Sequence, residues 1–169
     1  MERFFPRGAQ PRLSALAKNA LRTEYKLWEP SKQSMDDGAF NALATFEMWC
    51  AISEGQIEKI KFYVSEGLNT NVVVKGSCGS FTFHDCALLA ASNTTERWLK
   101  DSCTQIANFF GGLGPTQAPR IDMEVIAYGS MDSGYFDVFH RCLGRFYMIR
   151  NQGGKITVIE LSPDGEKGS

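Results

Sequence analysis

Apolar side chains recur at helical spacing in three stretches of the chain: Leu13, Leu16, Ala17, Ala20 and Leu21; Phe40, Leu43, Phe46 and Cys50; and Ile57, Ile60, Tyr63 and Val64. That spacing gathers each set on one face of a helix. In a fourth stretch Trp98, Ile106, Phe109 and Phe110 are apolar anchors. The pattern therefore predicts a helical stretch to about Trp28, a helix from Phe40 to Gly55, one from Ile57 to Gly67, and one from Thr95 to Phe110. Gly55, Gly67 and the Gly111-Gly112 pair stand where helices would stop, since glycine takes the left-handed conformation without a steric penalty. Between the first two helices, residues 29–38 read as a linker whose Asp36-Asp37-Gly38 end supplies capping and turn groups.

Elsewhere the period is two. Val72-Val73-Val74 is a β-branched run and Phe81-Thr82-Phe83-His84 alternates, with turn material from Gly76 to Ser80 between them. A hairpin is the expectation. From Arg120 onward the chain reads as sheet. Ile121, Met123, Val125 and Ala127 alternate with their neighbours, an aromatic-rich stretch from Phe136 to Arg150 turns near Leu143-Gly144, and Gly153-Gly154 precedes a last strand, Ile156 to Leu161. The predicted class is α+β: helices, a hairpin, a helix, then three or four antiparallel strands.

Three stretches carry a family resemblance. Cys50 to Ile60 is similar to the helix–turn–helix opening of SnoaL-like and ketosteroid-isomerase-like proteins, the nuclear-transport-factor-2-like superfamily. Asn151 to Ile159 looks like that family's last hairpin, with a Gly-Lys-Ile step before the closing strand, and Gln105 to Phe110 sits where the family keeps its third helix. The resemblance implies a cone-shaped, curved antiparallel sheet packed against three helices, spanning residues 36–164. Residues 1–35 would be a basic arm or helix outside that core, and residues 165–169 a frayed tail. The family includes isomerases, dehydratases, polyketide cyclases, epoxide hydrolases and non-catalytic binding or assembly domains, so the fold does not assign an activity.

The family's catalytic carboxylates do not carry over. The isomerase base would fall in Val74-Lys75-Gly76-Ser77, its oxyanion-stabilising carboxyl at about Phe146, the epoxide-hydrolase aspartate at Leu161 and the dehydratase aspartate near Cys50. None of these positions holds an acid. Residues 55–71 also resemble half of an ankyrin repeat, but position 88 is Leu where a copy at a period of ~33 needs glycine, so an ankyrin-like array is the more distant alternative.

Composition narrows the field further. With 43% apolar and 22% charged residues over 169 positions, the chain suits one folded domain. A net charge of −1 gives no global attraction for nucleic acid, and no apolar run reaches the ~18 residues of a membrane span. The five cysteines lack a CxxC pair, which suggests free thiols and a cytoplasmic setting. Arg3, Arg7, Arg12, Lys18 and Arg22 lie in a stretch without acids, so a mitochondrial presequence is the alternative to a helix with a basic face.

Candidate chemistry centres on two histidines, His84 beside Asp85 and His140 three residues after Asp137. Alternation along a strand puts Phe136, Val138 and Cys142 on the face of His140, and Asp137 on the other. His140 is the first candidate for an acid or base, or for a hydrogen-bonding group; its structural alternative is a satisfied core histidine. His84 and Tyr128 are candidate helpers, and Phe136, Val138, Cys142 and Tyr147 a candidate ligand wall. Neither a metal-ligand spacing nor a nucleotide-cofactor fingerprint is present, so no metal and no cofactor are expected. The expectation is a small hydrophobic or polycyclic molecule in a cone-shaped pocket, either simply bound or processed by cofactor-free proton transfer, as in a cyclase, isomerase or dehydratase. The competing expectation is a non-catalytic interaction domain that forms a homodimer through its exposed sheet face. Neither nucleic acid nor a membrane is expected as a partner.

Overall fold

The computed structural model of the chain describes residues 12–25, 35–76, 79–114, 116–127 and 134–161. Tyr128 and the tail 165–169 lie outside them. The described residues form five helices and six strands: α1 (Ala15–Glu24), α2 (Asp37–Glu54), α3 (Ile57–Ser65), β1 (Val72–Gly76), β2 (Gly79–Thr82), α4 (Phe83–Asn93), α5 (Arg97–Gly112), β3 (Ile121–Ala127), β4 (Tyr135–Cys142), β5 (Arg145–Gln152) and β6 (Lys155–Leu161).

Helix α2 is the centre of the molecule. The Asp36 carboxylate starts it by accepting from the Ala39 N–H at 2.9 Å, and Gly55 ends it in the left-handed conformation, φ 70°. Every residue from Ala39 to Met48 is buried, including Asn41, Thr45 and Glu47. A helix enclosed on all sides is what an element between other layers becomes, and one apolar stripe in the sequence understates it.

Helix α1 packs against this centre. Ser14 caps it, accepting from the Ala17 N–H at 3.1 Å, and Leu13, Ala17 and Leu21 join the main core. This part of the N-terminal segment is therefore built into the core and does not stand outside it as an arm. Leu16, counted on the apolar face, is 60% exposed. The far end of α1 is tied down by charge. The Tyr25 hydroxyl and the Lys59 ammonium both donate to buried Glu47, the latter at 2.7 Å, and Lys59 also pairs with Glu24.

The sheet runs β2-β1-β3-β4-β5-β6 and is open. It is mixed, where the sequence predicts an antiparallel one: β1 and β3 pair in parallel, Val72 opposite Ile121 and Val74 opposite Met123. The cause is a helix that strand-like alternation concealed. Residues Phe83 and His84 were expected to continue a strand, but the chain leaves β2 at Thr82 and enters α4. Thr82 accepts from the Asp85 N–H while the Asp85 carboxylate accepts from the Thr82 N–H, a reciprocal cap that fixes the helix start. Phe83, Ala87 and Ala91 then fall on one buried face at steps of four. Helices α4 and α5 carry the chain across, so β3 arrives alongside β1 in the same direction. In α5 the buried positions are Cys103, Ile106 and Ala107, whereas Trp98, expected as an anchor, is 60% exposed.

The core lies between α2 and one sheet face. Ile121 and Met123 of β3, Phe136 and Val138 of β4, Ile149 of β5, and Ile156 and Val158 of β6 are all buried there. The Phe46 and Phe136 rings meet at 5.3 Å across the layer. Among the described residues no helix is long and apolar enough to cross a membrane.

Candidate functional site

Strand β4 alternates as its sequence predicts, and one polar side chain sits on its inner face. Phe136, Val138, His140 and Cys142 turn toward α2, and Asp137 turns the other way, where Arg150 across the ladder holds it with two bonds of 2.9 and 3.0 Å. His140 is opposite Met123 on β3 and Tyr147 on β5. Its ring meets the Tyr147 ring edge-on, with centroids 6.3 Å apart at 70°.

His140 is 1% exposed, and neither ring nitrogen has a hydrogen-bond partner among the described residues. Burial lowers its pKa to about 4, because a charged imidazole would forfeit hydration. Its own backbone offsets part of this without reaching hydrogen-bonding geometry. The ring is therefore neutral at physiological pH, with one N–H and one lone pair to offer.

A pocket of about 140 Å³ opens beside it, between the first turn of α2 and the β4–β5 turn. Its wall comprises Arg12, Asp37, Gly38, Asn41, His140, Cys142, Leu143, Arg145 and Tyr147. His140 and Asn41 form a buried floor, while Leu143 and Arg145 are exposed at the rim. Leu143 and Gly144 both take positive φ, 54° and 76°, which makes the tight turn that sets Leu143 over the opening.

The Tyr147 hydroxyl reaches Asp36 at 3.2 Å, and Arg145 meets the same carboxylate at 3.0 Å. Burial works against the Asp36 charge, but the Ala39 N–H, the Tyr147 hydroxyl and Arg145 together hold its pKa below the usual carboxylate range. Burial, with Asp36 adding to it, pushes the Tyr147 phenol the other way. Arg145 also makes two bonds to Glu160, at 2.9 and 2.8 Å, and Asp37 pairs with Arg12 and Lys18. The rim charges are thus engaged with one another.

Of the residues singled out from sequence, His140, Cys142 and Tyr147 meet in this pocket. Phe136 and Val138 share their face but pack in the core. His84 stands in the first turn of α4, against Gly111 at the end of α5, and takes no part in the pocket wall. Asp85, its neighbour in sequence, belongs to the same helix and caps its start. Tyr128 lies outside the described residues. Arg12, Asp37, Gly38, Asn41, Leu143 and Arg145 are wall residues that the sequence does not single out for the site. The Asp36-Asp37-Gly38 capping signal and the Leu143-Gly144 turn mark a helix start and a strand end without showing that they face each other.

A second ionisable cluster lies apart from the pocket. Burial raises the Glu47 carboxyl above its usual range even with Lys59 and Tyr25 bonded to it, and carries the Cys50 thiol up to about 12. Among the described residues no group of three or more His, Cys, Asp and Glu assembles to hold a metal ion. Comparison with protein-family models, with curated proteins and with solved structures returned no match.

Proposed function

We propose that the chain binds a small, largely apolar molecule in the pocket at the N-terminal end of α2, with His140 as its hydrogen-bonding anchor. One observation carries this reading: a side chain 1% exposed, with both ring nitrogens unpartnered among the described residues, stands in the wall of a cavity. Buried polar groups are nearly always bonded, so an orphan in a pocket wall implies a partner that arrives from outside the chain. The volume, about 140 Å³, suits a single ring, since cavities of ~150 Å³ accept benzene. A polycyclic ligand would extend past Leu143 into solvent. The SnoaL-like resemblance supports the same reading, with the pocket as the mouth of a cone-shaped sheet.

Proton-transfer chemistry, if the molecule is also a substrate, would use His140 as the acid or base without a cofactor. A pKa of about 4 makes it a weak base at neutral pH, where general bases work best near the operating pH, so binding is favoured over catalysis. A screen of single-ring compounds by thermal shift tests the proposal. A ligand at a hundredfold excess over its Kd adds ~2.7 kcal/mol, and His140→Ala should remove that gain. If no compound shifts the wild-type transition, the pocket holds water and the binding role is wrong.

A second reading has its own observation. The outer sheet face presents Phe139, Phe146, Ile159 and Leu161 as neighbours across β4–β6, with Ile159 41% exposed and the Phe139 and Phe146 rings 5.7 Å apart. This apolar surface fits a homodimer or a docking partner. Sedimentation of wild type against Ile159→Glu decides it: a dimer that the variant abolishes supports the reading, and a wild-type monomer at high concentration removes self-association.

A further inference from the structure

Charge around the His140 pocket is already balanced. Arg12 and Lys18 pair with Asp37, and Arg145 with Asp36 and Glu160, so three cations face three carboxylates. The N-terminus of α2 would otherwise favour an anion. It carries Asp36 at its cap and Asp37 in its first turn, which occupy that role themselves. At the floor stands a neutral imidazole whose two nitrogens have no partner among the described residues. Charging it to meet an anion would place a new charge at a position 1% exposed. The first N–H groups of a helix have no acceptor within it. Gly38, in that first turn, lines the pocket with the Tyr147 hydroxyl packed against it. Cys142, Leu143 and the Tyr147 ring supply apolar walls.

We infer that the pocket selects an uncharged ring compound bearing a carbonyl or carboxamide over the matching carboxylate, with the His140 imidazole N–H donating to the carbonyl oxygen. This selectivity rests on the binding role proposed above and adds the charge and chemical type of the head group. The neutral imidazole is free to choose its tautomer, because no group among the described residues fixes either nitrogen. A carbonyl therefore draws the N–H to the nitrogen it reaches. A carboxylate would gain a single hydrogen bond there while giving up its hydration and meeting Asp36 and Asp37 nearby.

Benzamide, benzoate and toluene form the test set, titrated into the full chain at pH 7.5 and read by thermal shift and by the imidazole ring ¹⁵N resonances. The chain has two histidines and His84 lies outside the pocket wall, so the His140 resonances are separable. Benzamide should bind about tenfold or more tighter than either other probe, the order of one buried hydrogen bond gained without a buried charge. It should also move the His140 ring nitrogens toward a single fixed tautomer. His140→Leu should bring benzamide down to the affinity of toluene. Benzoate binding as tightly as benzamide would overturn the selectivity while leaving the binding role intact. Toluene matching benzamide, or unmoved His140 nitrogens at benzamide saturation, would equally overturn it. No binding by any of the three would remove the selectivity, and failure of the wider ring-compound screen would remove the binding role with it. Should His140→Leu fail to fold, the wild-type titrations and ring resonances decide alone.

Discussion

The hydroxyl of Tyr147 occupies the space that a side chain on residue 38 would need. A Cβ built on Gly38 would lie 2.0 Å from that oxygen and 2.5 Å from the ring carbon bearing it. The glycine is in the first turn of α2 and the tyrosine is on β5, so the contact fixes how closely the helix N-terminus approaches the sheet. That approach also lets the Tyr147 hydroxyl reach the Asp36 cap and closes one side of the His140 pocket.

Gly38→Ala should therefore destabilise the protein by about 2–3 kcal/mol, the range of overpacking, although alanine normally improves a helix by roughly 0.5–1 kcal/mol. Tyr147→Leu shortens the opposing side chain and should make the same Gly38→Ala change close to neutral. Urea unfolding of the two single variants and the double variant gives the coupling directly. Additive single effects would mean that the helix moves freely away from the sheet, and the pocket wall would then be plastic.

Acid should reveal His140. Its folded pKa of about 4 lies below the 6.5 of an exposed histidine, so between those values the unfolded chain binds a proton that the folded chain refuses. Stability then rises with pH from about 4 to 6.5 and is flat above, with a total of about 3 kcal/mol from this one group. Asp36, whose folded pKa is depressed, loses its contribution at still lower pH. His140→Gln keeps a polar, uncharged side chain and should remove the rise in stability that His140 contributes between pH 4.5 and 6.5. An unchanged slope in denaturant titrations of that variant would assign it to other groups.

Much of this arrangement is legible in the residues. The β4 alternation places His140 inward and Asp137 outward, and the Gly55, Leu143-Gly144 and Gly153-Gly154 breaks fall where elements end. These are local signals with a fixed period or a fixed backbone requirement. The parallel β1–β3 pairing was hidden because it depends on α4, whose first residues Phe83-His84 continue the alternation of Phe81-Thr82 at the end of β2; the Thr82/Asp85 cap outweighs that pattern. The pocket was half hidden. His140, Cys142 and Tyr147 share a sheet face that parity reveals, whereas Gly38 and Asn41 arrive from a helix about a hundred residues earlier. No periodicity encodes that tertiary contact.

Glu47 offers the sharpest test of how α1 is held. Its carboxylate is buried in the middle of α2 and bonded by Lys59 of α3 and Tyr25 just after α1, so one anion joins three helices. Burial keeps the folded pKa of Glu47 above its unfolded value, so the ionised form is the costly one. Lys59→Met removes the compensating cation and should cost about 2–3 kcal/mol at pH 8, at the low end for a broken buried pair because Lys59 is partly exposed. The sign with pH follows from the same residue. A carboxyl with a raised folded pKa gives its stability below the unfolded value and loses it as pH rises, so the penalty of Lys59→Met should shrink as pH falls from 8 to 5 toward protonation of Glu47. Adding Glu47→Gln removes the stranded charge and keeps an acceptor for Tyr25, and the double variant should recover most of the loss at pH 8. Chemical denaturation of the wild type and the two variants at both pH values checks this. A Lys59→Met penalty that is the same at pH 5 and 8, and unrelieved by Glu47→Gln, would mean that Lys59 stabilises α3 through its pairing with Glu24 instead, and that Glu47 holds α1 through Tyr25 alone.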